Sequence, residues 1–241
     1  MWLLYVVLFV ASWFVLRFFK QHKHQSIDAQ LHDEKLFEEP PPREDCPICL
    51  LPLPLNAAEI QFKTCCGKLI CYGCIYAMCV EAMRKGKKEE EVEMCPYCRK
   101  RASTSDEERV KGINKLMEKG NGNAFYNLSG FYAQGINGMQ QDMSKANELL
   151  LKAGVFGCAE AYCKLGNSYH IGQGVEIDKK KAKHYWELAA MKEDVSARNN
   201  LGLLEGKAGN HHRAMKHFIL EQNQATSFLW IQLSRGLRKG L

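Results

Sequence analysis

The sequence predicts a mainly α-helical chain in three parts: an N-terminal transmembrane helix, a small cysteine-rich module and a short helical solenoid. Three features of the 241 residues lead to this prediction. The first nineteen residues are almost entirely apolar, nine of the eleven cysteines lie between Cys46 and Cys98, and the later residues repeat with a period of 36 or 37. The net charge of +6 is spread along the chain among acidic residues, so nucleic acid is not expected as a partner.

Residues 1–19 are predicted to form a transmembrane anchor. Sixteen uncharged residues precede Arg17, and a helix of nineteen residues is about 28 Å long, close to the roughly 30 Å hydrocarbon core of a bilayer. A cleaved signal peptide is the alternative, but no basic residue precedes the apolar run, which continues past the candidate cleavage site near Ser12. Arg17, Lys20 and Lys23 come at its end, so the positive-inside tendency predicts a single-pass protein with the bulk of the chain in the cytosol.

Residues 20–43 are predicted to be a polar, proline-rich linker. The segment ends in Glu38-Glu39-Pro40-Pro41-Pro42-Arg43, and consecutive prolines favour extended polyproline geometry. Such a linker would hold the cysteine-rich module, residues 44–102, away from the bilayer.

The cysteine spacing within residues 44–102 predicts two zinc sites. Three C-x2-C pairs, beginning at Cys46, Cys71 and Cys95, accompany one adjacent pair, Cys65 and Cys66. A C-x2-C turn, or knuckle, directs two thiolates at one point, and tetrahedral zinc takes two such pairs with bonds of about 2.3 Å. Eight thiolates in four pairs therefore indicate two Zn²⁺ ions. Disulfides in a secreted protein are the alternative, although the spacing and a cytosolic location favour thiolates.

The order of the four pairs resembles a RING finger, in its rarer all-cysteine variant. In that family the first and third pairs share one metal ion, and the second and fourth pairs share the other. Adjacent side chains point in opposite directions in an extended chain, so Cys65 and Cys66 need a turn, which Gly67 could permit. The resemblance implies these ligand sets: Cys46, Cys49, Cys71 and Cys74 for the first zinc ion, and Cys65, Cys66, Cys95 and Cys98 for the second.

The same resemblance implies a binding surface for a ubiquitin-conjugating enzyme. Ile48 in the first knuckle and Pro96 in the last match apolar contact residues of the family, and Tyr76 lies on the intervening helix, where the family often has tryptophan. Arg99 matches the cationic linchpin, whose planar guanidinium can hydrogen-bond both the enzyme and ubiquitin. Such a domain forms no covalent intermediate, because it acts by orienting the ubiquitin thioester towards a substrate lysine.

A repeat occupies residues 121–222. It comprises two full copies and a shorter third copy that begins near Ala197, giving two and a half copies. The pattern resembles Sel1-like repeats, relatives of the tetratricopeptide repeat that are built from antiparallel helix pairs. The resemblance implies a helical solenoid that binds a protein substrate or adaptor. Small and large apolar residues match between the first two copies: Ala124, Leu128 and Tyr132 with Ala161, Leu165 and Tyr169.

Helices are predicted on both sides of the repeats. Residues 103–120 place Val110, Ile113 and Met117 at helical spacing, which predicts a connecting helix. Residues 223–241 include Phe228 and Leu233 among other apolar residues, which predicts a C-terminal capping helix.

Together these features predict a membrane-anchored RING-type ubiquitin ligase that positions a charged conjugating enzyme and recruits a substrate or adaptor through its repeats. The alternative is a non-catalytic, zinc-stabilised membrane scaffold, because a zinc module can be purely structural. Both functions require Zn²⁺ as the cofactor and the lipid bilayer as a partner of residues 1–19.

Overall fold

The computed structural model describes residues 30–38, 43–86, 94–103 and 105–222. The chain divides into two compact units, Met1–Glu39 and Pro40–Leu241, and residues 30–37 of the first unit are helical. The predicted anchor at residues 1–19 and the predicted capping helix at residues 223–241 lie outside the described residues. Among the helices that are described, none is both long and apolar enough to span a bilayer.

The cysteine-rich module contains one antiparallel hairpin and one helix. A short 3-10 turn, Ala57–Glu59, leads into strand β1, Ile60–Lys63, which pairs with β2, Lys68–Cys71. Helix α1, Tyr72–Arg84, follows β2 directly. The hairpin register pairs Lys63 with Lys68, so a four-residue loop, residues 64–67, joins the strands.

The core of this module is made largely of cysteine. Cys46 and Cys95 are buried together with the aliphatic side chains of Leu53 and Ile70, and six half-buried cysteines pack against them. Among the described residues of the module, the buried aliphatic side chains are those of Leu53, Ile70 and Ala82. These are too few to stabilise a module of about 55 residues, so bound metal is expected to supply much of its folding free energy.

The remaining described residues are mainly helical. Helices α3 and α4 pack together, α5 and α6 do the same, and α7 contacts α8 where Gly202 meets the ring of Phe218. Short loops join the two helices of each pair, so the pairs are antiparallel, and the predicted helical solenoid is confirmed. The helices are α2, Asp106–Met117; α3, Gly122–Gln134; α4, Met143–Val155; α5, Ala159–Ile171; α6, Lys179–Ala190; α7, Val195–Lys207; and α8, residues 211–222.

The alanines that repeat in the sequence are buried between the helices. Ala124, Ala161 and Ala197 lie at matching positions of α3, α5 and α7, and all three are fully buried. Gly166 of α5 lies against the indole of Trp186, where an added Cβ would be only 2.5 Å from the ring. Small residues at these positions therefore let the paired helices approach closely, and large side chains fill the space between them.

Polar side chains begin most of these helices. Each of the capping oxygens accepts a hydrogen bond from a backbone N–H group in the first turn, which satisfies a donor that the helix itself leaves unpaired. Gly135 and Gly172, both in the left-handed conformation, follow α3 and α5 and end them. The capping residues are Ser105, Asn121, Asp142, Asp178 and Asp194.

Candidate metal centre

The structure brings eight cysteine sulfurs together in two groups of four. Within each group the four Sγ atoms all lie within 4.8 Å of one another. The memberships are those that the RING resemblance implied. We call Cys46, Cys49, Cys71 and Cys74 the first sulfur group, and Cys65, Cys66, Cys95 and Cys98 the second sulfur group.

The distances between sulfurs fit a tetrahedral metal. Pairs of Sγ atoms are 3.9 Å apart for Cys46 and Cys74, 3.8 Å for Cys66 and Cys95, and 3.4 Å for Cys65 and Cys98. A regular tetrahedron with metal–sulfur bonds of about 2.3 Å has edges of about 3.8 Å. A disulfide bond is much shorter, about 2.05 Å, and none of the eleven cysteines, all of which lie within the described residues, forms one. The sulfur groups therefore suit zinc better than they suit the disulfide alternative.

Two knuckles with the same backbone geometry supply one pair to each group. In the first knuckle the N–H of Cys46 donates to the carbonyl of Leu51 at 2.7 Å. In the last knuckle the N–H of Cys95 donates to the carbonyl of Lys100 at 2.8 Å. Each knuckle is closed by an isolated antiparallel bridge between the residues on either side of it, as between Asp45 and Pro52. The two knuckles thus present their thiols in the same way.

The hairpin loop explains how adjacent cysteines can face one point. Cys65 and Cys66 lie in the four-residue loop between β1 and β2, where the chain reverses direction. The N–H groups of Cys66 and Gly67 both donate to the carbonyl of Lys63, and Gly67 has a φ of +72°. The turn that the adjacent pair requires is therefore present, and glycine at its end adopts a backbone conformation that other residues disfavour.

The third pair is held by the junction of a strand and a helix. Cys71 ends β2 and is the residue before the first turn of α1, and Cys74 lies in that first turn. Because β2 is paired with β1, the same hairpin that carries Cys65 and Cys66 at its tip carries Cys71 at its base. The two sulfur groups are therefore interleaved along the chain and share one scaffold.

Backbone N–H groups favour the thiolate form of the first cysteine of each knuckle. Burial acts to raise the pKa of Cys46, but N–H groups of Cys49, Cys71 and Ile48 outweigh burial and lower this pKa to about 7. The pKa of Cys95 is likewise lowered, because N–H groups of its own knuckle outweigh burial. These donors would stabilise a thiolate bound to metal.

Four of the other thiols, those of Cys65, Cys66, Cys71 and Cys74, have a raised pKa and resist ionisation in the absence of a cation. Burial and the neighbouring thiols of Cys71 and Cys49 raise the pKa of Cys74 far above its ordinary value. Burial and the thiols of Cys98 and Cys95 raise the pKa of Cys65 in the same direction. Four thiolates at these distances repel one another, so a divalent cation is the partner that would allow them to ionise together.

The residues that the RING resemblance assigned to the conjugating enzyme lie at the surface of the module. Ile48 is 40% exposed, Tyr76 on α1 is 64% exposed, and Arg99 is exposed directly after the last cysteine. Pro96 is half-buried.

One feature of this surface was not predicted from the sequence. The side chains of Tyr72, Tyr76, Val80 and Met83 follow one face of α1 at intervals of four, four and three residues, and all are exposed, from 44% for Val80 to 71% for Met83. Their helical spacing could have shown that they share a face, but the sequence does not show that this face is uncovered. The module therefore presents an apolar stripe along three turns of helix.

Comparison with known proteins places the repeats in a family. A family model of the Sel1 repeat matches residues 124–154, 159–194 and 195–220. The fold and the sulfur groups define a helical-repeat protein with a cysteine-rich module that could hold metal. More particularly, the chain carries Sel1 repeats over the matched residues, as predicted, and its third match extends into α8.

One curated relative and two solved structures are similar to parts of the chain. The "ERAD-associated E3 ubiquitin-protein ligase component HRD3B" of Arabidopsis thaliana is 31% identical over 115 residues, which are 46% of this chain and 18% of that protein. The chain thus spans less than a fifth of the length of this relative. A Sel1 repeat protein from Oxalobacter formigenes is 19% identical, with a TM-score of 0.45 over 63% of this chain and 58% of that chain. A protective antigen with an SLR fold from uropathogenic Escherichia coli is 21% identical, with a TM-score of 0.49 over 69% of this chain and 37% of that chain.

Proposed function

We propose that this chain is a membrane-anchored RING-type ubiquitin ligase whose Sel1 repeats recruit a substrate or an adaptor. The observation that carries the proposal is the interleaving of the two sulfur groups, in which the first and third cysteine pairs meet, and the second and fourth pairs meet. This order is what the RING resemblance implies, and a simple tandem of two zinc knuckles would pair neighbours instead.

The chemistry that this function requires is orientation rather than acid–base catalysis. When bound, zinc supplies the crosslinks that hold the knuckles and the hairpin loop in place. Ile48, Pro96 and Tyr76 would bind the conjugating enzyme through apolar contacts. Arg99 would donate hydrogen bonds to the enzyme and to ubiquitin, which would hold the thioester in the geometry that a substrate lysine attacks.

The Sel1 repeats would supply the second binding function. Stacked helix pairs form an extended surface that commonly binds proteins. The Arabidopsis relative is named as a component of an ERAD-associated ubiquitin ligase, which supports an adaptor role for the repeats in ubiquitin transfer. In this chain the cysteine-rich module and the repeats would combine both functions in one polypeptide.

Membrane attachment remains part of the proposal and rests on the sequence of residues 1–19. The expected topology places the cysteine-rich module and the repeats in the cytosol. Alkaline carbonate extraction of one sample of cell membranes tests the anchor, and protease treatment of a separate sample of intact vesicles tests the topology. Release by carbonate contradicts the anchor, and protection of the repeats from protease contradicts the topology.

Reconstituted ubiquitin transfer tests the ligase function. The zinc-loaded chain, mixed with activating enzyme, ubiquitin and a panel of conjugating enzymes, is expected to form ubiquitin chains with at least one of them. Arg99→Ala and Ile48→Ala are expected to reduce the rate by about tenfold or more, because a charge-assisted hydrogen bond or a buried aliphatic contact contributes about 1.5–3 kcal/mol.

Two variants serve as controls for Arg99. Lys100→Ala removes the same charge one residue further along and is expected to leave the rate unchanged. Arg99→Lys keeps the charge but loses the planar fork, so it is expected to be as slow as Arg99→Ala. If no conjugating enzyme in a broad panel supports transfer by a chain that holds two zinc ions, the non-catalytic scaffold is the correct function.

Metal content tests the requirement that both functions share. Inductively coupled plasma mass spectrometry of the purified chain is expected to find two zinc ions per polypeptide. Native mass spectrometry that found disulfides in place of zinc would contradict both the ligase and the scaffold.

A further inference from the structure

The hairpin loop of the cysteine-rich module lies against the N-terminal end of the solenoid. Gly112 of α2 approaches the loop so closely that an added Cβ would be 3.1 Å from the carbonyl oxygen of Thr64. An added Cβ at Gly67 would be 2.7 Å from the amide nitrogen of Asn121 and 3.0 Å from Leu116. The absence of side chains at these two glycines therefore allows the loop and the solenoid to touch.

One polar side chain joins the loop to the first repeat. The Oδ1 atom of Asn121 accepts a hydrogen bond from the N–H of Ala124 at 3.0 Å and so caps α3. The Nδ2 atom of the same residue donates to the carbonyl of Gly67 at 3.2 Å. Because Gly67 directly follows Cys66, this bond connects the first helix of the repeats to a member of the second sulfur group.

The apolar core of the first repeat also extends into the module. Ile113 of α2 is fully buried in a cluster that contains Phe125 and Leu149, and Phe62 of β1 and Leu116 pack against the same cluster. Each unit of a solenoid buries its apolar side against a neighbour, so the first unit needs a cover on its outer side. Helix α2 and the hairpin supply that cover.

We propose that the cysteine-rich module is the N-terminal cap of the Sel1 solenoid, and that zinc held by the second sulfur group stabilises the first repeat through the hairpin loop. The inference rests on the zinc binding of the proposed function. The loop that carries Cys65 and Cys66 is the part of the module that touches Gly112, Leu116 and Asn121. Holding this loop in place therefore holds the cap in place.

The coupling must act in both directions. If bound zinc stabilises the first repeat, then contacts from the first repeat increase the affinity for zinc by the same factor. A variant that breaks the contact without touching a cysteine should therefore weaken zinc binding, and removal of zinc should loosen the first repeat. These are two independent readouts, and neither depends on ubiquitin transfer.

Asn121→Asp is the variant that isolates the contact. Aspartate keeps the oxygen that caps α3 and is as good a capping residue as asparagine. It lacks the Nδ2 donor to the Gly67 carbonyl and would place a charge beside that oxygen instead. Asp178→Asn is the matched control, because it makes the reverse exchange at the capping residue of α6, where Oδ1 accepts from the N–H groups of Lys180 and Lys181.

Zinc retention is measured by competition with a chromophoric chelator, using the full-length chain in detergent. Asn121→Asp is expected to release one of its two zinc ions about three to ten times more readily than the unmodified chain, the factor that corresponds to one hydrogen bond. Asp178→Asn is expected to retain both ions as the unmodified chain does. Equal retention of zinc by Asn121→Asp and the unmodified chain would overturn the proposal.

Hydrogen exchange followed by mass spectrometry provides the second readout. Removal of zinc by the chelator is expected to raise exchange in α2, α3 and α4 by at least about tenfold relative to α7 and α8, since in a solenoid stabilisation passes through neighbouring units. If two zinc ions are bound and their removal leaves α3 unchanged, the capping proposal fails while zinc binding stands. A purified chain that holds no zinc overturns both.

Discussion

Leu50 and Arg99 occupy the same position in two equivalent knuckles. Both follow the second cysteine of a C-x2-C pair, and both have a left-handed backbone, with φ values of +58° and +57°. Their N–H groups donate at the same distance, 2.9 Å, to the carbonyls of Cys46 and Cys95. The unusual conformation of Arg99 therefore comes from the knuckle and does not by itself indicate a functional role.

Arg99→Gly should separate the stability of the knuckle from the function of the side chain. A left-handed backbone costs a residue with a side chain about 1–2 kcal/mol, whereas glycine adopts it freely but loses more entropy on folding. Thermal unfolding is therefore expected to show unchanged stability or a gain of up to about 1 kcal/mol. Discharge of ubiquitin from a conjugating enzyme to free lysine is expected to slow by about tenfold or more, because the guanidinium is lost.

Leu50→Gly is the matched variant for this experiment. It makes the same backbone change at the equivalent position and is expected to change stability in the same direction while leaving ubiquitin discharge unaltered. Equal discharge by Arg99→Gly and Leu50→Gly would remove Arg99 from the mechanism.

The contact between Gly166 and Trp186 predicts that one methyl group added at Gly166 lowers the stability of the fold. The indole cannot swing away freely, because it is 4% exposed and its Nε1–H donates to Oδ1 of Asn167 at 2.9 Å. Gly166→Ala gains up to about 1 kcal/mol of helix propensity but forces a shift that costs about 1–3 kcal/mol, so a net loss of stability is expected.

Gly130→Ala is the control for this packing prediction. Gly130 lies inside α3, and an added Cβ there meets nothing within 4 Å. The variant is therefore expected to be stabilised by up to about 1 kcal/mol through helix propensity alone. Urea unfolding of both variants provides the comparison, and a Gly166→Ala chain as stable as Gly130→Ala would contradict the close packing.

The solenoid could be predicted from the sequence because each copy of the repeat places its residues in the same environment. Each helix pair has a buried leucine at the same position: Leu128, Leu165 and Leu201. The need for a large apolar residue therefore recurs once in each copy of the repeat. The membership of the two sulfur groups could be predicted only from the resemblance to RING fingers. The spacing shows which two cysteines form a pair, but not which two pairs share a metal ion. Both the repeat and the knuckle are patterns that the sequence shows more than once.

The contacts between the module and the solenoid could not be predicted in this way. Asn121 and Gly67 are 54 residues apart, and their hydrogen bond occurs at a single place in the molecule. From the sequence, Asn121 has the properties of an ordinary helix cap, and Gly67 those of an ordinary turn residue. Neither the repeat nor the cysteine spacing indicates that these two residues meet, so only the folded structure shows it.

Arg43, the last residue of the linker and next to the module, forms an ion pair with Glu193 of the repeats. Their side chains are 18% and 16% exposed, and Nε of Arg43 lies 3.4 Å from Oε2 of Glu193. Burial raises the pKa of Glu193 more than Arg43 lowers it, so the ion pair does not fully offset its desolvation. Arg43→Gln is therefore expected to be less stable than the unmodified chain, because the single change leaves the half-buried Glu193 carboxylate with only the charge of Arg198 to offset its burial.

A double-mutant cycle on this pair measures the coupling. Thermal unfolding of both single variants and the double variant is expected to give an interaction free energy of about 1 kcal/mol. Lys145 and Glu148, which are 45% and 61% exposed, form the control pair, for which a coupling of about 0.3 kcal/mol is expected. If the coupling free energy between Arg43 and Glu193 is no larger than that of the control pair, the contact is not maintained in solution.

His217 on α8 predicts a loss of stability in mild acid. Its side chain is fully buried, and burial, together with the positive charges of Arg198 and Arg213, lowers its pKa to about 4. An unfolded histidine has a pKa near 6.5, so between about pH 6.5 and pH 4 the unfolded chain binds a proton that the folded chain does not. Stability is therefore expected to fall by up to about 3 kcal/mol as the pH decreases through this window.

Urea unfolding at pH 7 and pH 5 should show a smaller pH effect in His217→Gln than in the unmodified chain, whereas exposed His211→Gln should keep the full effect. All three proteins contain the same cysteines, so the comparison cancels the effect of thiolate protonation on stability. An equal pH dependence for all three proteins would mean that His217 takes up a proton in the folded chain as readily as in the unfolded chain.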